Sequence, residues 1–480
     1  MEKTKPKERF PEDYKIDPAT LAAGRYGTKE TVDIWDAEKT YEYGLKSQGQ
    51  ASRTLSRLHP DIVPPTEAEE IESKANLTYV KPAKIREYEE KTGHDIIGLN
   101  KAFEEILAAA ARPHQNKART SGDTTQTAKA LQLKQSLEVI ADSTENVRDI
   151  IIEKSLEWED IPYMDLTHLY DALPSVAGRA FSHYAEMLQS GLNFLKFVYD
   201  HSLIGKWADA TGNHHSATAL DIDGIKLQEE YCKDLGIGWM DAPAQVPGLE
   251  FEADVVYVMS RLAETMNNLS NYIALGRSDD VNVFINTSPK KQKGSAAMPH
   301  KDAKNGNPDS EEQFMSVRNY LVGNLTTAMM NCEMPYARNL SGSANTRINF
   351  EDGFKFLDHG IRRLAHISYW IKLREERSIE RVLRSYGVVT SQQVMMYITD
   401  TRKVSNPLPR SKAHDLMGEL ATYAWENKIP FTDVVLQNEE IRKRLDEPTI
   451  RKITNPLNYL GESKKIIRTI ADKYHKKRTL

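Results

Sequence analysis

The chain contains 480 residues, of which 40% are hydrophobic and 28% are charged, a composition typical of a soluble folded protein. At about 100–200 residues per domain, this length predicts about three domains. The net charge of −5 argues against a general nucleic-acid binder. The two cysteines, Cys232 and Cys332, are too few for a disulfide framework or a four-cysteine zinc site.

The first residues of the chain lack the apolar segment of a signal peptide, and no run of about 18 apolar residues occurs anywhere. We therefore expect neither secretion nor a membrane-spanning helix. Together with the low cysteine content, this favours a cytoplasmic location.

Residues 1–120 mix short helical patterns with turns at Pro60, Pro64, Pro65 and Pro82, and they are predicted to form an N-terminal helical domain. The central part, residues 121–378, contains five long stretches with almost no glycine or proline. Apolar residues recur there at helical spacing, which predicts five long helices. The predicted helices cover residues 124–160, 181–203, 250–275, 310–334 and 354–373.

After about residue 378, shorter helical patterns alternate with proline breaks, which predicts a C-terminal helical domain over residues 379–480. Alternating β-branched runs are nearly absent, so the fold class is predicted to be all-α. Five long amphipathic helices predict a bundle that packs against other copies of the chain. The basic residues 475–478 are expected either to be solvated or to bind something acidic, and the first is favoured.

The segment 286–308 separates two long predicted helices and contains five lysines but only one aspartate. It is too long for an ordinary connection between helices, so it is either disordered or a functional lid. It is not a phosphate-binding loop, because Gly294 is not followed by the glycine-lysine-serine pattern of that motif.

Within this segment, the sequence GSAAMPHK at residues 294–301, followed by Asn307 and Pro308, resembles the signature of the fumarase/aspartase superfamily. Members of this superfamily release fumarate by breaking a carbon–nitrogen or carbon–oxygen bond. The resemblance implies a three-domain all-α fold whose central helices build a twenty-helix core in a homotetramer. It also implies active sites that are shared between subunits.

The signature implies that Ser295 is the catalytic base, that Lys301 stabilises the charged intermediate, and that Met298 contacts the substrate. Two departures stand out. Ala296 replaces the second serine of the signature, and about four extra residues precede Asn307, which leaves Asn305 as a competitor for the asparagine role.

Other short motifs resemble those of the adenylosuccinate lyases within this superfamily and occur in the same order along the chain. They are Arg25-Tyr26, His94-Asp95, Thr120-Ser121-Gly122-Asp123, Thr167-His168, Gln245, the segment from Arg338 through Ser343 to Arg347, and the NYLG sequence at 458–461.

This resemblance implies a phosphate clamp made by arginines and a hydroxyl, and guanidinium forks do suit a phosphate group that carries about −1.5 to −2 charge. His168 is implied as the general acid, since imidazole titrates near neutral pH. His94 would bind the substrate or take part in the proton relay, and Glu312 would pair with His168 and tune it. The implied substrate-binding residues are Arg25, Tyr26, Asp95, Thr120, Ser121, Thr167, Gln245, Met298, Asn307, Arg338, Ser343 and Arg347.

Some positions depart from the pattern. Asn116 stands where family members usually have a histidine, with His114 nearby, and Asn339 and Gly342 replace two residues of the phosphate motif. The chain is therefore identified as a divergent member. The implied reaction is fumarate release from adenylosuccinate, and also from the succinylated aminoimidazole carboxamide ribonucleotide of purine synthesis.

Three alternatives stay open at this point. The first is another fumarate-releasing lyase, such as an argininosuccinate lyase, and the second is an inactive helical protein of the same fold. The third, nucleic-acid binding through the basic segments, is disfavoured by the net charge. No metal or organic cofactor is expected, because no H-E-x-x-H pattern occurs and His214-His215 is an isolated pair.

Overall fold

The computed structural model describes residues 3–8, 25–289, 293–304 and 306–480. Helices dominate these residues, and the predicted all-α class is confirmed. No helix among the described residues is both long enough and apolar enough to cross a membrane. The N-terminal helices are α1 (Lys29–Ile34), α2 (Ala37–Leu58), α3 (Pro65–Lys74), α4 (Pro82–Thr92) and α5 (Asp95–Glu105), followed by a 3₁₀ turn over Arg112–His114.

The five predicted long helices are all present. They are α6 (Ser121–Glu157), α7 (Arg179–His201), α10 (Glu250–Arg277), α11 (Asp309–Asn331) and α12 (Ser343–Trp370); two short helices, α8 (His215–Thr218) and α9 (Gly224–Leu235), lie between α7 and α10. Their apolar stripes form one core, in which Leu188, Leu192 and Leu195 of α7 are fully buried. Burying each such side chain contributes about 1.5–3 kcal/mol.

The fifth helix differs from its prediction at both ends. It begins at Ser343 and includes Gly353. Gly353 packs closely against α10, since a Cβ on it would lie 3.0 Å from the methyl carbon of the Met259 side chain. The helix ends at Trp370, and the next three residues form strand β4 (Ile371–Leu373). Strand β4 pairs antiparallel with β3 (Phe284–Asn286), so strand pairing there replaces the predicted last turn of the helix.

A second pair of strands lies between α6 and α7. Strands β1 (Pro162–Thr167) and β2 (Tyr170–Val176) form an antiparallel hairpin in which Leu166 faces Asp171 and Thr167 faces Tyr170. The sequence pattern does not predict this hairpin, because aspartates and a proline interrupt the apolar residues.

The C-terminal helices form their own apolar cluster between residues 394 and 453. They are α14 (Ser391–Thr399), α15 (Arg410–Asn427), α16 (Phe431–Gln437), α17 (Glu439–Arg442) and α18 (Glu447–Ile453), with 3₁₀ turns over Val388–Thr390 and Pro456–Asn458. Helix α13 (Glu375–Leu383) precedes them and lies outside this cluster. The last helix, α19 (Ser463–Tyr474), returns to pack on α7 and α6. The domain boundaries near residues 120 and 378 stay predictions.

Lys476, Lys477 and Arg478 at the end of the chain are exposed, as predicted, whereas the His475 side chain is only 11% exposed. Arg478 Nη1 lies 3.0 Å from an Asp142 oxygen and 2.7 Å from a Glu145 oxygen, and His475 Nε2 lies 3.1 Å from Glu153 Oε1. The three carboxylates share one face of α6 at helical spacing. The tail is therefore bound by an acidic stripe of the chain itself.

Candidate active site

The loop that carries the superfamily signature holds the Ser295 hydroxyl in a defined setting. Ser295 Oγ accepts hydrogen bonds from the backbone N–H groups of Ala297 and Met298, both at 3.1 Å, and the residue is half-buried. Hydrogen bonds donated to a hydroxyl oxygen favour its ionised form over its neutral form. This geometry therefore suits a serine that accepts a proton.

The same loop is closed by side-chain contacts between its two ends. Lys301 Nζ donates to Asn307 Oδ1 at 3.0 Å, and Asn307 Nδ2 donates to the Gly294 carbonyl at 2.9 Å. Gly294 is required here, because a Cβ on it would lie 2.4 Å from the Lys301 Cβ. Asn307 thus lies beside Lys301, whereas its competitor Asn305 is outside the described residues.

Asp302 fixes the start of this loop. Its carboxylate accepts the Gly294 N–H at 2.7 Å and the Lys293 ammonium at 2.9 Å. These two contacts, with the backbone hydrogen bond the larger, hold the pKa of Asp302 below its usual value. Met298, also predicted to contact the substrate, is 41% exposed at the surface of the loop.

A second group of predicted residues meets at the start of α6. The backbone N–H of Thr120 donates to Asp123 Oδ2 at 2.8 Å, which caps the helix. Gly122 is wedged between two other segments, since a Cβ on it would lie 2.8 Å from the Gln245 carbonyl oxygen and 3.7 Å from Arg338 Nη1. Thr120, Ser121, Gln245 and Arg338 are therefore neighbours within one chain.

Below this turn lies a buried ion pair that the sequence does not predict. The side chains of Asp123 and Lys206 are both fully buried and in direct contact. Lys206 Nζ also donates to the Asp209 carbonyl at 2.6 Å, while Asp123 Oδ1 accepts the Ala208 N–H at 3.0 Å. Burial lowers the pKa of Lys206, and the Asp123 carboxylate opposes that shift. A lone lysine carries no sequence signal of such a role.

The predicted phosphate-binding residues lie around the start of α12. Ser343 is its first residue, Arg347 follows one turn later, and Arg338 precedes it. Among the described residues, neither guanidinium forms a hydrogen bond or an ion pair. The start of a 28-residue helix also offers free N–H groups and a partial positive charge. This end of α12 is therefore suited to an anion.

Arg25 and Tyr26 lie elsewhere. Tyr26 packs edge-on against the rings of Phe356 and His359, at 5.7 and 5.6 Å between ring centres, and Arg25 is exposed. Phe356 is 13 residues after Ser343, which is about 20 Å along the helix at about 1.5 Å per residue. A single chain therefore does not bring this pair to the start of α12.

His168 is at the tip of the β1–β2 hairpin. His168 and Leu169 form its two-residue turn, with φ values of 53° and 67°, the left-handed pattern of a type I′ turn. Thr167 and His168 are exposed, and so is Glu312 near the start of α11. No ion pair between His168 and Glu312 is found in the parts of the chain that the structure describes.

His94 precedes the first residue of α5, and its Nδ1 lies 3.2 Å from Asp95 Oδ1. Asn116, which replaces the usual histidine, has a φ of 50°, and its Oδ1 accepts a hydrogen bond from the Thr124 hydroxyl at 3.4 Å. His114 lies on the adjacent 3₁₀ turn, where burial lowers its pKa. No group of three or more potential metal ligands of the His, Cys, Asp or Glu types is found among the described residues.

Two known families match this chain. One, described as Lyase, matches residues 50–323, and the other, described as Adenylosuccinate lyase C-terminus, matches residues 387–470. The adenylosuccinate lyase of Methanocaldococcus jannaschii is 26% identical over 445 residues, which cover 92% of this chain and 93% of that protein. The adenylosuccinate lyase of Pyrococcus abyssi is 23% identical over 448 residues, covering 93% and 96%.

Solved structures share the fold. The fumarate lyase from Mesorhizobium sp. BNC1 superposes with a TM-score of 0.78 at 18% identity, covering 93% of this chain and 98% of that one. The 3-carboxy-cis,cis-muconate lactonizing enzyme from Pseudomonas putida gives 0.79 at 17% identity, covering 95% and 99%. At these identities the likeness concerns the fold alone.

Proposed function

The chain belongs to the lyase family that matches residues 50–323, within the fumarase/aspartase superfamily, and we propose that it cleaves adenylosuccinate to AMP and fumarate. The observation that carries this proposal is the similarity, over more than nine-tenths of the chain, to relatives that are themselves adenylosuccinate lyases. We extend the proposal to the succinylated aminoimidazole carboxamide ribonucleotide, because it also carries a succinyl group on a nitrogen and a ribose phosphate.

In the proposed reaction, Ser295 acts as its alkoxide: Oγ takes a proton from the succinyl carbon next to a carboxylate and becomes a neutral hydroxyl. The electrons of that C–H bond move onto the carboxylate, and they then form the double bond of fumarate as the carbon–nitrogen bond breaks. His168 donates a proton to the departing nitrogen. The two N–H groups directed at Ser295 Oγ support its role as the base.

Charge builds on the succinyl carboxylate during proton removal. Lys301 and Asn307, joined at 3.0 Å, provide an ammonium and an amide next to the base-bearing segment. Fixed donors of this kind stabilise developing negative charge without having to reorganise. We assign these two residues to stabilisation of the intermediate.

The phosphate end of the substrate is assigned to the start of α12. Arg338, Ser343 and Arg347 supply two guanidiniums and a hydroxyl there, and Gln245, Thr120 and Ser121 lie next to Arg338. Arg25, Tyr26, His94, Asp95 and Thr167 complete the proposed site from other parts of the assembly.

The proposal includes a homotetramer with shared sites and a cytoplasmic location, without a cofactor or a nucleic-acid partner. An exposed apolar stripe on helix α11 is evidence for this proposed tetramer. It consists of Met315, Val322 and Met329, which recur every seven residues and are 41%, 43% and 60% exposed. Such a stripe suits a neighbouring helix. The separation of Tyr26 from Ser343 within one chain also fits a site completed by other subunits.

An assay that follows fumarate absorbance tests which substrate the protein cleaves. We expect the purified protein to release fumarate from adenylosuccinate with a kcat/KM at least about a hundredfold above that for argininosuccinate, because only the nucleotide offers a phosphate to the α12 residues. Faster release from argininosuccinate would overturn the assignment, and no release from either substrate would favour an inactive protein of the same fold.

Mixing two inactive variants tests the shared sites. We expect Ser295→Ala and His168→Ala each to keep only a small residual activity, and we expect much higher activity when the two are unfolded and refolded together, because some mixed sites then contain both groups. Refolding each variant alone is the control. An active monomer in light scattering, or no recovery in mixtures that form tetramers, would contradict the shared site.

A further inference from the structure

The hairpin that carries His168 is held to the rest of the chain by an ionic contact that the reaction described above does not use. Asp171 Oδ1 lies 3.2 Å from Arg381 Nη2, and Asp171 Oδ2 accepts hydrogen bonds from Arg384 at 3.1 Å from Nε and 2.8 Å from Nη2. Each carboxylate oxygen is thus bound by a different guanidinium. We call Asp171, Arg381 and Arg384 the hairpin clamp.

The hairpin needs such support. It has only two strands, and an isolated two-stranded hairpin is marginally stable in water. Its turn places two residues other than glycine in the left-handed region, and Leu169 and Tyr170 at the tip are 78% and 79% exposed. Packing at the tip of the described chain therefore does little to fix the direction of the His168 side chain.

The clamp acts close to the turn. Asp171 faces Leu166, and only Thr167, His168, Leu169 and Tyr170 lie beyond this pair. The side chains of Asp171 and Arg381 are 21% and 7% exposed, so this contact is more shielded from water than an ordinary surface pair. Asp171 is thus the residue nearest the turn on β2 that is tied to another element.

Helix α13, which contains Arg381 and ends just before Arg384, is itself fixed. The Ser378 hydroxyl of α13 donates to the Pro162 carbonyl at 2.6 Å, which ties α13 to the first residue of the hairpin. Arg377 Nη2 donates to the Asp280 carbonyl at 3.0 Å, in the segment that leads to β3 and then to the Ser295 loop. Helix α13 therefore braces the hairpin against the central core.

We propose that Asp171, through Arg381 and Arg384, is a positioning residue that aims His168 at the departing nitrogen of the substrate. This inference rests on the proposed function, in which His168 is the general acid. Displacing a catalytic group by about 1 Å can cost about a hundredfold in rate. The clamp would therefore act on kcat rather than on substrate binding.

The test compares Asp171→Asn with Asp400→Asn. Asp400 binds Arg402 through both of its oxygens, and its side chain is 18% exposed, so it is a matched carboxylate away from the hairpin. We expect Asp171→Asn to lower kcat by about ten- to hundredfold with KM within about threefold of the wild type. Asp400→Asn should change neither constant by more than about twofold.

Two further measurements separate positioning from a general loss of structure. In the His168→Ala background, Asp171→Asn should change the residual rate by less than about twofold, because it acts through the missing histidine. An equal loss in both backgrounds would overturn the proposal. Deuterium exchange over residues 162–176 should rise in Asp171→Asn and stay unchanged in Asp400→Asn.

The exchange measurement needs no substrate, so it distinguishes a failure of the proposed function from a failure of the hairpin clamp. A wild type that does not release fumarate from adenylosuccinate would refute the proposed function, and the exchange rates would still decide whether Asp171 holds the hairpin. An active wild type with unchanged exchange and unchanged kcat in Asp171→Asn would refute the clamp alone.

Discussion

Replacing Ser295 with alanine is expected to lower kcat by at least about a thousandfold, the upper part of the range for losing a general base. The reason is local: the hydroxyl that accepts N–H groups from Ala297 and Met298 disappears, and no other hydroxyl in the described part of the loop takes its place. The rate is measured from fumarate absorbance at saturating substrate.

Binding provides the control for this variant. Ser295→Ala should bind AMP as tightly as the wild type, because the residues at the start of α12 are unchanged, and calorimetry measures this directly. The matched variant Ser73→Ala removes an exposed hydroxyl on α3 and should keep full activity. Turnover within about tenfold of the wild type in Ser295→Ala would show that another group removes the proton.

The long helices were predictable because their apolar residues repeat at helical spacing over many turns. Four of the five predicted helices begin and end within three residues of the observed ends. The fifth was misjudged because its first turns, around Ser343 and Arg347, carry no apolar stripe, and because Ile371 prefers to pair with Asn286 in a short sheet. Pairing between segments far apart in sequence leaves no local signal.

The candidate site was predictable only as motifs. The structure brings Thr120, Ser121, Gln245 and Arg338 together in one chain, and it joins Lys301 to Asn307. His168 is exposed on a hairpin. Tyr26 contacts α12 at Phe356, which is far from Ser343 along that helix. A sequence pattern names residue types in order, but it contains no information on which chain supplies each group.

Residues that act through others were not predictable. Lys206 and Asp171 belong to none of the recognised motifs, and each gains its importance from a partner about 80 or 210 positions away. Lysine and aspartate are usually exposed to solvent, so residue type alone predicts that both side chains lie at the surface. Only the fold reveals the contacts.

Replacing Lys206 with methionine is expected to have the largest effect on stability. The substitution keeps most of the side-chain volume but leaves the Asp123 carboxylate buried without its cation. Removing one partner of a buried pair costs about 3–5 kcal/mol. Asp123 also accepts the Thr120 N–H, so the turn that carries Thr120 and Ser121 should loosen as well.

Thermal unfolding at one fixed protein concentration measures this loss, because the midpoint of an oligomer depends on concentration. The matched control is Lys233→Met, which removes the same charge from α9, where Lys233 is 49% exposed beside Glu229. An exposed pair contributes at most about 1 kcal/mol, so the control should unfold close to the wild type.

Measurements of kcat and KM then distinguish the effect of the Asp123–Lys206 pair on stability from its effect on substrate binding. At a temperature where the Lys206→Met variant is still folded, KM for adenylosuccinate should rise by more than kcat falls, because Thr120 and Ser121 are assigned to binding rather than to proton transfer. A second change, Asp123→Leu, removes the unpaired charge and should recover part of the stability, because the buried Ala208 N–H still loses its acceptor. It should not recover KM, since the cap on Thr120 is also lost. If Lys206→Met unfolds no earlier than Lys233→Met, the buried pair does not hold this end of α6, and the binding turn must be fixed by its contacts with Gln245 and Arg338 instead.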